Sequence, residues 1–207
     1  MQHTWFHPKL EVMAKIFVVR HAETEVVPNI PADQWKLKDG SFDAMKTMMK
    51  GVDITEVQTI YYSPLVKAKH TAQIISEFFG IALEERQCLR EVERYFGFID
   101  EETFRTRVAE YFSGCDDRNF ESYSTARDRI ISCLKSLIAG APGKSILIVS
   151  HGMIISILYS HLIGVSKGYG DWQKIKMPDL SILDMDNNVV EKGFFQGFKI
   201  KNALWPR

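Results

Sequence analysis

The apolar positions of this chain fall into short dense runs separated by stretches of helical period. Lys15–Arg20 (KIFVVR) places four apolar residues in a row and reads as a strand buried on both faces. Pro28, Pro31 and Gly40 mark a loop over about 26–40, and 42–50 follows as a short helix whose methionines at 45, 48 and 49 form a core-facing stripe. A second strand is expected at 58–62. Ser63 and Pro64 then supply an N-cap and a first-turn proline, and Leu65, Ala68, Ala72, Ile75 and Phe79 recur at helical spacing until Gly80. The pattern next gives a short strand at 81–83, a carboxylate-rich irregular stretch at 84–100, a helix at 101–112 and a polar loop at 113–119. A longer helix over about 121–139 presents Ala126, Ile130, Cys133 and Leu137 on one face and breaks at 140–143. A strand at 146–149, a helix at 153–163 and two alternating segments, 180–185 and 189–195, complete the chain. Asp186-Asn187-Asn188 between the last two reads as a hairpin turn.

Alternating strands and helices predict an α/β fold: three layers, α/β/α, with a mostly parallel sheet, helices on both faces and an antiparallel edge. No repeat or linker-like stretch divides the chain. The expectation is a single domain over 13–207, preceded by an extension at 1–12. That extension lacks a charged start followed by a long apolar run, so no secretory signal is read there. Residues 145–166 contain no Asp, Glu, Lys or Arg, long enough for a membrane helix of ~20 residues. Ser150-His151-Gly152 interrupts this stretch with polar and flexible residues, which fits a buried strand feeding a buried helix rather than a span.

Composition narrows the partners. Lys+Arg and Asp+Glu are both 26 in 207 residues, so no global field favours nucleic acid or an anionic membrane. Cys88, Cys115 and Cys133 are odd in number and lack metal-type spacing; free buried thiols in a reducing cytoplasm are the expectation, and the expected location is cytoplasmic. Walker A, dinucleotide-fingerprint, Cys-x-x-Cys and H-E-x-x-H motifs are absent, so neither cofactor nor metal is expected. Asp184-x-Asp186 belongs to the hairpin turn rather than to a metal site.

In open α/β sheets, ligands bind beyond the carboxyl ends of the strands, where helix N-termini also point. Arg20-His21 ends the first strand, His151-Gly152 ends the strand at 146–149, and Ser63 to Lys67 follows the strand at 58–62. A lone histidine is usually structural, and His3, His7, His70 and His161 are read so. Two histidines at two strand ends, one beside an arginine, point instead to phosphoryl transfer through histidine. Arg20, Lys67 and His151 would neutralise the phosphate oxygens, helped by helix N-termini. A neutral His21, its other ring N–H held by a backbone carbonyl, would attack in line. Leu89-Arg90-Glu91-Val92-Glu93-Arg94 offers carboxylates for proton donation to the leaving oxygen. Thr24, Ser63 and Gly152 are secondary candidates. Phe96, Phe98 and Phe104 are read as holding down a small cap, and Trp35 as an aromatic plug under its loop.

These segments resemble the histidine phosphatase superfamily, the phosphoglycerate-mutase-like proteins. IFVVRHAET (16–24) is similar to its arginine-histidine signature, YSPLVKAKHTA (62–72) to its Ser-x-x-x-Arg-Ala-x-x-Thr-Ala helix start, LREVE (89–93) to its Leu-x-Glu and ILIVSHG (146–152) to its second histidine motif. Glu121-Ser122 with Arg129 resembles the segment before its last long helix. The resemblance covers about 15–195 and implies a phosphohistidine at His21, with Arg20, Lys67 and His151 on the phosphate. It favours Glu91 as the acid/base by its spacing from Leu89, while Glu93 fits by its spacing to Gly97.

Three departures stand out. Ala22 replaces a usual glycine, which requires a negative φ or some strain there. Lys67 replaces an arginine and loses the bidentate fork. Val27 stands where mutase-type members carry an asparagine. The expectation is a metal-independent phosphomonoesterase acting on a small phosphorylated molecule. A weakly active phospho-ligand or protein-binding member and a mutase are the alternatives.

Overall fold

The computed structural model describes residues 15–115, 117–202 and 204. The 1–12 extension lies outside them. Six strands, β1 (Lys15–Arg20), β2 (Val57–Tyr62), β3 (Ala82–Glu85), β4 (Ser145–Ser150), β5 (Asp179–Asp184) and β6 (Val189–Gly193), form one sheet in the order β3-β2-β4-β1-β5-β6. β3, β2, β4 and β1 run parallel; β5 is antiparallel to β1, and β6 to β5. The mostly parallel sheet with an antiparallel edge is therefore as expected.

Helices cover both faces: α1 (Ser41–Met49), α2 (Val66–Phe79), α3 (Glu101–Ser113), α4 (Tyr123–Gly140), α5 (Gly152–Ile163) and the short α6 (Tyr169–Lys174). The unbroken apolar runs follow from this layering. Phe17, Val19, Leu147 and Val149 pack with α1 and α2, while Ile16, Val18, Ile146 and Ile148 pack with α4 and α5. Alternate residues of one strand thus face two different cores, so no polar face interrupts the sequence. Met45 and Met49 fill the first core, and Ala126, Ile130, Cys133 and Leu137 the second. Gly164, left-handed at φ 68°, ends α5. Among the described residues no helix is long and apolar enough to cross a membrane.

Two local readings are corrected. α2 starts at Val66 with Leu65 as its N-cap, not at Ser63-Pro64. The Ser63 hydroxyl is drawn into contact with His151 (2.7 Å), which sets that turn apart from the helix. The cysteines are not all free and buried: Cys88 is bonded to Cys133, their Cα atoms 5.6 Å apart, and Cys115 is the free one, at the surface. The cause is packing, because Cys88 precedes Leu89 against the inner face of α4, the face that carries Cys133. An odd count does not preclude one pair, and the pairing removes the cysteine argument for a reducing compartment.

Candidate active site

Three adjacent parallel strands end at one edge. The register pairs Arg20 with Ser150 and Tyr62 with Val149, so the residues after β1, β4 and β2 emerge side by side. The His21 N–H donates to the Ser150 carbonyl (3.1 Å), and the Ser63 N–H donates to the Val149 carbonyl (3.1 Å), extending the ladder one step. His21 and His151 are brought together with ring centroids 5.0 Å apart.

His21 is oriented by its own backbone. Its Nδ1 lies 2.7 Å from the Ala22 carbonyl oxygen, which only accepts, so Nδ1 carries the proton and Nε2 is left as a bare lone pair. Burial, then Lys67, then Arg20 hold the ring's pKa well below that of a free histidine, so it is neutral at pH 7. Ala22 is tied in turn: its N–H donates to Thr71 Oγ1 (3.0 Å), whose hydroxyl donates to the Lys67 carbonyl (2.7 Å). Ala22 is not among the positive-φ residues, so the missing glycine costs no backbone strain.

His151 is fully buried and faces the Ser63 hydroxyl through Nε2. Ser63 Oγ accepts the Leu65 N–H (3.3 Å) and has its own proton to offer; in the tautomer where it donates to His151 Nε2, Nδ1 is the protonated ring nitrogen. Nδ1 then carries a buried N–H without a protein partner. Burial first, then the charges of the site, depress the His151 pKa too. Arg20 Nε and Trp172 Nε1 are likewise buried and unpartnered. Arg20 donates to the Ile175 carbonyl and lies 5.8 Å from the Trp172 ring centroid. Lys67 Nζ donates to the Ala32 carbonyl (2.9 Å) and lies 5.7 Å from the Trp35 ring. Burial, with Arg94 next, lowers the Lys67 pKa to about 8. Buried donors without acceptors beside repelling cations define an anion-seeking site.

The two carboxylate candidates separate cleanly. Glu91 accepts N–H groups of Val92 (3.0 Å), Met153 (3.2 Å) and Ile154 (2.9 Å) at the N-terminus of α5. Glu93 instead faces Arg90 Nε (2.7 Å) and the Tyr95 hydroxyl (3.0 Å) on the surface. Two N–H groups of the first turn of α5, those of Met153 and Ile154, are therefore taken by Glu91. Thr24 is buried in a bridge to Leu37, with no side-chain link to the histidines. Gly152 has a steric role: a Cβ there would lie 2.6 Å from Trp172 Nε1 and 2.9 Å from Arg20 Cζ.

Sequence reasoning passed over Arg94, Trp172 and Asp33. Arg94 and Asp33 act electrostatically on Lys67, and Arg94 also on His151. Phe104 is not only a cap anchor: its ring lies 5.0 Å from the Arg94 guanidinium and packs against Trp172. Trp35 is both plug and wall, its Nε1–H bonded to the Ile30 carbonyl (3.0 Å) beside Lys67.

A neutral histidine with a bare nitrogen lies beside the buried cations Arg20 and Lys67 at the carboxyl edge of the parallel strands, an arrangement of an α/β fold suited to an anionic ligand. Residues 16–192 match the model of the histidine phosphatase superfamily (branch 1), and the chain belongs to that family. It is 30% identical over 105 residues to the uncharacterized phosphatase PhoE of Bacillus subtilis, spanning 51% of this chain and about half (53%) of that protein. It is 26% identical over 187 residues to the probable phosphoglycerate mutase GpmB of Serratia proteamaculans, covering 84% of this chain and 86% of that one. The fold is shared with phosphoserine phosphatase of Entamoeba histolytica, solved with 3-phosphoglyceric acid: TM-score 0.66, 20% identity, covering 93% of this chain and 100% of that one.

Proposed function

We propose that this protein is a metal-independent phosphomonoester hydrolase acting through a phosphohistidine on a small phosphorylated molecule. The observation that carries the reading is the His21 Nδ1–Ala22 carbonyl bond, which leaves Nε2 unprotonated beside Arg20 and Lys67. Nε2 attacks phosphorus as the ester P–O bond breaks, and Arg20, Lys67 and the His151 Nδ1–H take the charge on the phosphoryl oxygens. Glu91 passes a proton to the leaving oxygen. It then takes one from the water that attacks phosphorus, the N–P bond breaks, and His21 is regenerated with release of inorganic phosphate.

The test is turnover of an aryl phosphate with chelator present, wild type beside His21→Ala, with phosphate labelling of His21. Metal-independent turnover and labelling, both lost in the variant, support the reading. A folded wild type with neither would leave a phospho-ligand-binding protein. The similarity to a probable mutase over most of both chains favours one second reading. A mutase would show dependence on a bisphosphate primer and little net hydrolysis.

A further inference from the structure

Glu91 lies between β3 and α3, just past a single 3₁₀ turn (Gln87–Leu89), where side chains rather than a sheet ladder must fix the backbone. Proton transfer tolerates little displacement there, since an error of ~1 Å can cost ~10²-fold in rate.

Every carbonyl from Cys88 to Glu91 is taken by a side chain. Arg129 on α4 gives Nη1 to the carbonyls of Cys88 (2.8 Å) and Arg90 (2.9 Å), and Nη2 to that of Glu91 (3.3 Å). The Ser150 hydroxyl, at the end of β4, donates to the Leu89 carbonyl between them (2.7 Å). The Arg129 fork is itself held by the buried Glu121 carboxylate, Nε on Oε1 (3.0 Å) and Nη2 on Oε2 (2.7 Å). An ion pair serving stability alone would end at Glu121; here the rest of the guanidinium is spent on the backbone that carries Glu91. Ser150 is fully buried, its own carbonyl accepts the His21 N–H (3.1 Å), and its chain neighbour is His151. One residue therefore joins the backbones of both histidines to the Glu91 segment. Cys133, one turn after Arg129 on α4, bonds Cys88 and ties the start of that segment to the same helix. At the other end of these contacts the Glu91 carboxylate meets the N–H groups of Met153 (3.2 Å) and Ile154 (2.9 Å).

We infer that Arg129 and Ser150 are positioning residues for proton transfer: they hold the Cys88–Glu91 backbone so that the Glu91 carboxylate stays at the first turn of α5, and they act through Glu91 rather than on the substrate. The kinetic consequence rests on the phosphatase reading above; the structural one rests on the hydrogen bonds alone.

Ser150→Ala removes only the hydroxyl, and Arg129→Lys keeps a cation beside Glu121 while losing the planar fork. Each is compared with the wild type in kcat/KM for p-nitrophenyl phosphate, whose leaving group needs no proton, and for glycerol 3-phosphate, whose leaving group does. The aryl-to-alkyl ratio should rise by about tenfold in both variants. A mere loss of folded or active protein lowers both substrates alike and leaves that ratio fixed. In a Glu91→Gln background the same substitutions should leave the ratio where Glu91→Gln alone puts it. Backbone amide exchange reads the geometry without turnover. In both variants the Met153 and Ile154 N–H groups should lose about tenfold in protection. Ile155, whose N–H is bonded to the His151 carbonyl (3.1 Å), should keep its rate. A ratio that stays fixed in either folded variant, or unchanged protection at Met153 and Ile154, overturns the inference. Where Arg129→Lys does not fold, Ser150→Ala decides. If the wild type turns over neither substrate and His21 takes no label, the phosphatase reading falls. Exchange at Met153 and Ile154 then decides alone whether Arg129 and Ser150 hold Glu91 in place.

Discussion

Lys67→Arg is the most informative single change, because burial beside other cations lets the lysine lose its proton near the working pH, whereas an arginine in its place stays charged. Lys67 is 6% exposed, and burial with Arg94 and Arg20 nearby brings its pKa from 10.5 to about 8. At ~1.36 kcal/mol per pH unit, holding that ammonium charged in the empty site costs about 3 kcal/mol. The proposed phosphate contact needs the charged form. Since kcat/KM reports the ionisations of the free enzyme, it should fall on the alkaline side with an apparent pKa near that of Lys67. Between pH 7.5 and pH 9 the charged fraction drops about eightfold, and kcat/KM with it. Arginine stays protonated throughout, and its N–H groups can still reach the Ala32 carbonyl that Lys67 Nζ uses.

The variant should therefore lose the alkaline limb and hold a flat profile to pH 9. The acid side is set elsewhere: His21 remains neutral well below the ordinary histidine range, so the limb there belongs to the substrate's second ionisation, at about pH 6. Stability gives an independent check with a fixed sign. A folded pKa below the unfolded one means that the unfolded chain binds more protons across that window. The empty wild type should thus gain stability as pH rises from about 8 towards 10.5, and Lys67→Arg should not. Steady-state profiles for aryl phosphate and denaturant titrations at matched pH make both measurements. An identical alkaline limb in the variant would refute the assignment, as would its absence from the wild type up to pH 9.5.

Glu91→Gln should cost ~10²–10⁴ in kcat for an alkyl phosphate and less for an aryl phosphate, whose leaving group needs no proton, while Glu93→Gln stays within about threefold; steady-state rates on the two substrate types check this. Gly152→Ala would push a methyl into Trp172 and Arg20, at 2.6 and 2.9 Å. It should destabilise the fold by ~1–3 kcal/mol and raise KM by displacing Arg20, read by thermal melts beside kinetics. Reducing Cys88–Cys133, which closes a separation of 45 residues, should cost up to ~4 kcal/mol of stability by chain entropy, read from urea midpoints with and without dithiol. Cys133→Ala should abolish that difference.

The legible parts of this protein are those where one physical constraint acts alone. Val18 and Val149 sit in strands buried on both faces, so their runs announce a parallel sheet without any tertiary knowledge. His21 and His151 become conspicuous because each ends such a run. Other features depend on what comes together in space. Cys88 and Cys133 are 45 residues apart, and their pairing follows from the packing of the Leu89 segment on α4. α6 carries six residues, too few for any apolar period to show. Glu91 and Glu93 are indistinguishable by chemistry and nearly so by spacing; what divides them is that Met153 and Ile154 offer N–H groups to the one and Arg90 draws away the other.

That division also bears on how the site balances its charge. A helix N-terminus at the end of a strand is a ready anion site, yet here the Met153 and Ile154 N–H groups in the first turn of α5 are spent on Glu91. In the proposed reading the phosphate is held mainly by side chains, and the cations gathered there, Arg20, Lys67 and Arg94, are only partly offset by Glu91, Asp33 and Asp179. Holding Lys67 buried beside Arg94 and Arg20 disfavours its charged form in the empty protein, the direction in which its pKa is shifted. An incoming dianion relieves the repulsion and brings Lys67 back towards full protonation. Affinity for inorganic phosphate should consequently weaken above pH 8 in the wild type and hold constant in Lys67→Arg, a linkage that calorimetry measures without any turnover.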